Sequence, residues 1–119
     1  MYAPSGIDTK AGVDGVGGND ALYRRLLGLF RDSEIDFVQR FRAAHAAGDS
    51  TTAVRAAHDL KCQAGTLGMH ALEEAAAALE RACLEGAHDA DIDDIVHKVT
   101  NILNEVVDEL RTKVSAPAP

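Results

Sequence analysis

Ile92, Ile95, Val99, Ile102, Val106 and Leu110 return at steps of three and four residues near the C-terminal end of this chain. That is the period of one helical face, and a helix with so long an apolar stripe has to be covered by other elements. Sheet is a poor candidate for the cover. Aromatic residues are only 4% of the 119, there is no Trp, and no stretch shows the alternation of a strand. Alanine is abundant instead, which favours close-packed helices, because strands draw on β-branched and aromatic side chains.

Turn signals cut the rest of the chain into further helices. A short segment from Asp8 to about Val16 ends at Gly17-Gly18. Asn19 or Asp20 caps the next, which carries Leu22, Leu26, Leu29 and Phe30 at helical spacing. Ser33 with Asp36 three residues on resembles a capping box, opening a helix that buries Phe37, Val38, Phe41 and Ala44 and stops at Gly48. Asp49-Ser50 starts a helix to about Leu67, and Gly68 ends it. Met69 to Gly86 follows, with Leu72, Ala75, Ala76, Leu79 and Cys83 inward, and an acidic turn leads into the final helix. The expectation is an all-α fold: an antiparallel up-down four-helix bundle, two shorter N-terminal segments packing at one end. Residues 7–114 make this single domain, 1–6 read as a linker and 115–119 as a flexible tail.

The charge narrows the partners. Twelve Lys and Arg against 19 Asp and Glu give a net charge of −7, the wrong sign for nucleic acid or an anionic membrane surface. No apolar run is long enough to span a bilayer, and the N-terminus has no signal-peptide pattern. Cys62 and Cys83 form no CxxC, which fits a reducing compartment, and the expected location is the cytoplasm.

The stretch "HDLKCQAGTLG", His58 to Gly68, holds the candidate chemistry. At about 100° per residue, Ala53, Ala57, Leu60, Ala64 and Leu67 fall within about 40° of one direction, the core stripe. His58 then lies about 140° away, Gly65 about 120°, Lys61 about 80° and Arg55 about 200°. His58 is therefore off the core, with Arg55 at i−3 and Lys61 at i+3 on its own face, and small Cys62 and Gly65 beyond it. Two cations beside it would favour neutral imidazole and attract a phosphoryl group. From the residues alone, an incidental surface histidine is the leading reading, as it is for His45, His70, His88 and His97.

"AAHDLKCQAGTLGMHALEEAAAALERA" resembles the histidine-containing phosphotransfer (HPt) domain of bacterial multistep phosphorelays, like those at the C-terminus of hybrid sensor histidine kinases. The pattern matches at His58, Leu60, Lys61, Ala64, Gly68, Leu72 and Leu79-Glu80, and "GGNDALYRRLLGLF" resembles the N-terminal part of these domains. The resemblance implies a phosphoryl carrier, not an enzyme, without an ATP site. His58 would accept a phosphoryl group from an aspartyl phosphate of one response-regulator receiver domain and pass it to another. Lys61 would stabilise the phosphoryl oxygens, and Arg55, Cys62 and Gly65 would meet the partner. No cofactor is implied for this chain, Mg²⁺ being expected on the receiver. The chain would be a monomer, with a hybrid kinase in cis as a further partner. Cys62 departs from the family's usual glycine or other small residue after the lysine; it is small enough to keep access, and a thiol there raises the question of oxidation.

Two other classes compete. A metal-binding bundle needs paired Glu-x-x-His motifs, and Glu85-Gly86-Ala87-His88 is a single copy across a helix-ending glycine. A helical adaptor would use the same bundle and leave His58 without a task.

Overall fold

The computed structural model describes residues 9–34 and 36–114. Among them are six helices and no strand: α1 (Thr9–Gly15), α2 (Asp20–Glu34), α3 (Phe37–Ala46), α4 (Ser50–Thr66), α5 (His70–Leu84) and α6 (Asp89–Val114). The expected linker 1–6, the start at Asp8 and the tail 115–119 lie outside the described residues, as does the side chain of Leu110.

The stops and starts follow local chemistry. Gly48, Gly68 and Gly86 each have φ near +70 to +80° (73°, 81° and 68°), the left-handed conformation that closes a helix. After Gly68 the Met69 N–H bonds back to the Ala64 carbonyl at 2.8 Å, closing the last turn of α4. Asn19, rather than Asp20, caps α2, its Oδ1 accepting the Leu22 N–H at 3.0 Å. Asp49 caps α4 through both oxygens, accepting the Thr52 N–H at 3.1 Å and its hydroxyl at 2.6 Å.

One expected boundary is wrong. Helix α2 runs through Ser33 to Glu34, and α3 begins at Phe37 after Asp36, whose side chain makes no capping bond. The burial of Phe37 is what sets the start of α3, and it overrides the capping-box spacing. The face of α2 is also turned from the expected one. Phe30 is buried as expected and Leu26 packs half-buried against the core, but Tyr23 and Leu27 take the other core positions while Leu22 and Leu29 stay exposed. Packing against α1 and α6 selects that face.

Helix α4 packs on α3 and α5, α5 on α6, and α2 on α6. The α4–α5 contact is the most extensive and is built largely from alanine. Ala53, Ala57, Leu60 and Ala64 meet Leu72, Ala75, Ala76 and Leu79, all buried in one core. Small side chains there let the helix axes come close, which brings polar groups on the rims of the two helices within reach of each other. Helix α1 sits over the end of α4. Gly12 leaves no room for a side chain between Tyr23 and the Leu67 carbonyl, and the Tyr23 hydroxyl donates to that carbonyl at 2.8 Å.

Candidate functional site

Helix α4 presents His58 one residue past buried Ala57, so its ring leaves the core and its side chain is 50% exposed. Helix α5 brings Glu80 to it, one residue past buried Leu79 and only 16% exposed. Glu80 Oε2 lies 2.8 Å from His58 Nδ1, and Glu80 Oε1 accepts from Lys61 Nζ at 2.7 Å. A single carboxylate thus ties together the two α4 side chains singled out from the sequence.

Protonation follows from this geometry. The Lys61 ammonium, with help from the His58 hydrogen bond, holds the Glu80 carboxyl below the usual glutamate range despite its partial burial. Glu80 in turn raises the Lys61 ammonium above its ordinary value. An ionised carboxylate only accepts hydrogen bonds, so Nδ1 carries the ring proton that faces it. Nε2 of the neutral ring is then the nitrogen with the free lone pair. It points away from Glu80, and its described neighbour is Cys62 Sγ at 3.6 Å, one turn further along α4.

The structure rearranges the sequence expectations. Lys61 is not a solvated cation beside the imidazole but a half-buried partner of Glu80. Arg55 is exposed and lines the same groove as His58, about 570 Å³, with Glu80 and Leu84 on its far wall. Cys62 is exposed and edges a second, apolar groove of about 330 Å³ between α2 and α4, bordered by Leu26, Leu29 and Thr66. Gly65 is half-buried, and a Cβ on it would lie 2.7 Å from Glu73 Oε2, so its neighbour is Glu73 and not open space beside the histidine. Glu80 was missed as a functional residue. The signal for it was present in the Leu79-Glu80 pair, a carboxylate adjoining a core leucine on the helix that pairs with α4.

The other histidines lie apart from this site. His45 stacks on Phe41 and meets Asp89 at 3.1 Å, and His97 lies 3.5 Å from Asp93. Among the described residues no group of three or more His, Cys, Asp or Glu is placed to hold a metal ion, and no helix is long and apolar enough to cross a membrane.

A family model described as the Hpt domain matches residues 25–113, which include the whole of α3, α4 and α5 and nearly all of α6. Comparison with curated proteins and with solved structures found no match.

Proposed function

The chain belongs to the Hpt domain family, phosphocarrier modules of phosphorelays, and from that membership we propose that His58 is its phosphoacceptor. The observation that carries the assignment is the Glu80 hydrogen bond to Nδ1, which leaves the lone pair on Nε2 of a half-exposed, oriented ring. The donor is an aspartyl phosphate on a response-regulator receiver domain, and the acceptor an aspartate on another.

The transfer is a displacement at phosphorus. The Nε2 lone pair forms the N–P bond, the bond from phosphorus to the aspartyl oxygen breaks, and the aspartate leaves as a carboxylate. Positive charge grows on the imidazole as the lone pair is drawn into the new bond, and the Glu80 carboxylate at 2.8 Å stands as its counter-charge. The reverse step to the second receiver uses the same atoms. Lys61 first positions Glu80; the two donors its ammonium does not spend on Oε1 are available to phosphoryl oxygens. In transfer between domains, Mg²⁺ held by the receiver would neutralise charge on the phosphoryl oxygens, and this chain supplies nucleophile, counter-charge and docking face.

The face for the receiver surrounds the ring. Arg55 borders it in the groove it shares with His58, Cys62 and Gly65 lie along α4, and the exposed Leu22 and Leu29 of α2 extend it with apolar area. The carrier works on an up-down four-helix frame, as a monomer in the cytoplasm, with a hybrid kinase in cis as a further partner.

Incubation with a phosphorylated receiver, or with phosphoramidate as a small donor, tests the assignment. Acid-labile, base-stable phosphate is expected on the wild-type protein and absent from His58→Gln. Equal labelling of the variant would assign the acceptor to another histidine, and no labelling of either protein would refute the carrier role.

A further inference from the structure

The contact at the other ring nitrogen has no part in the scheme above. Cys62 Sγ lies 3.6 Å from His58 Nε2, one helical turn away and on the solvent side of α4. With the Nδ1 proton held by Glu80, Nε2 offers a lone pair, and a neutral thiol has one hydrogen to give. The contact is therefore S–H···N, directed at the lone pair that must attack phosphorus.

We propose that Cys62 is a positioning residue that gates this nucleophile. Its S–H occupies the Nε2 lone pair in the resting protein, and its side chain turns aside when a phosphoryl group enters. The proposal rests on the reading of His58 as the acceptor. Glu80 and Cys62 then hold the ring from its two nitrogens, one fixing the proton and the other covering the free lone pair.

The same geometry makes the gate sensitive to bulk. A phosphorus bonded to Nε2 and any substituent on Sγ would have to share a gap of 3.6 Å. A hydrogen on sulfur is small and can rotate away, whereas a group of two heavy atoms fills the approach. Cys83 does not compete for this role. It is partly buried against the core, and burial pushes its thiol pKa up, which lowers its reactivity.

Methyl methanethiosulfonate provides a reversible probe. The Cys62 thiolate attacks its sulfenyl sulfur, an S–S bond forms carrying a methylthio group, and methanesulfinate leaves. In a Cys83→Ala background, the methylthiolated protein is expected to form phosphohistidine from phosphoramidate at least about tenfold more slowly. Dithiothreitol should restore the rate, and a Cys62→Ala, Cys83→Ala protein should not respond to the reagent. Untreated Cys62→Ala should react about twofold faster, the worth of a weak hydrogen bond. Its Nε2 nitrogen-15 resonance should also move, because the lone pair has lost its donor, which a merely structural cysteine would not cause. An unchanged rate after methylthiolation, or an unmoved Nε2 resonance in Cys62→Ala, overturns the gate. Absence of phosphohistidine on the untreated protein overturns the carrier reading and the gate with it, a result distinct from both.

Discussion

Replacing Glu80 by alanine removes the acceptor from His58 Nδ1 and the partner from Lys61 in one step, and leaves the core intact. A hydrogen bond to an ionised group contributes about 1.5–3 kcal/mol when both partners are shielded. Here the carboxylate is 16% exposed but the imidazole is 50% exposed, so solvent screening brings the value down to roughly 1 kcal/mol. Spread over the ring's tautomers and the charge that develops during attack, that is a loss of about fivefold in rate. Phosphoramidate is the donor of choice, because so small a molecule takes receiver docking out of the measurement. Nitrogen-15 spectra of the imidazole report the tautomer directly, and the wild-type ring should carry its proton on Nδ1. Glu80→Gln, which keeps an acceptor oxygen and loses the charge, should fall between wild type and alanine. A Glu80→Ala protein that keeps the wild-type tautomer, or the wild-type rate to within about a factor of two, would refute the assignment of Glu80 as the orienting group.

Gly65→Gln places a Cβ 2.7 Å from Glu73 Oε2, the end of a flexible side chain, so the fold should hold while transfer from a receiver slows. An unchanged transfer rate would remove Gly65 from the docking face. Gly12→Ala drives a methyl into Tyr23 and to 2.6 Å from the Leu67 carbonyl oxygen. Overpacking of this kind costs about 1–3 kcal/mol, and amide exchange over α1 should accelerate; unaltered exchange would show that α1 yields without cost. Leu79→Ala empties a fully buried site between α4 and α5, and denaturant unfolding should register a loss of about 2–5 kcal/mol. The carboxyls of Glu80 and Asp93 are lowered by Lys61 and Arg42, so their stabilisation is complete above the unfolded-state values of about 4 and fades as pH falls through the lower folded values. Lys61 is raised, so its share is complete below about pH 10.4 and fades only as pH climbs through its higher folded value. Melting temperatures should therefore decline in acid, less steeply in Glu80→Gln; an equally steep decline would exclude Glu80 as a contributor.

The buried face of α4 was legible because it depends only on one helix's own period. Ala53, Ala57, Leu60, Ala64 and Leu67 shared a direction on the wheel, and all five are buried. The same arithmetic put His58 outside the core, where it stands. Gly68 as the end of α4 was legible for a similar reason, since a left-handed residue that closes a turn is a local demand. The α2 face was not. Leu22, Leu26 and Leu29 form one stripe and Tyr23 and Leu27 an adjacent one, Phe30 closing either, and only contact with α1 and α6 selects between them.

By itself, then, the sequence determined a helical chain, the inward stripe of α4, and a histidine kept out of the core beside small residues. Those are consequences of spacing along one helix. In α6 the spacing found Ile92, Val99 and Val106 but not Val96 and Leu103, which are buried where Ile95 and Ile102 are only half-buried. What the tertiary structure alone decided is the state of that histidine. Lys61 looked like a neighbour of His58 on the wheel, yet both are held by Glu80 from another helix. Glu80 reaches them because the α4–α5 interface is lined with alanine, which lets the two helices approach until a carboxylate spans the gap. The proton on Nδ1, the free lone pair on Nε2 and the thiol covering it depend on distances between side chains, and spacing along the chain does not contain those distances.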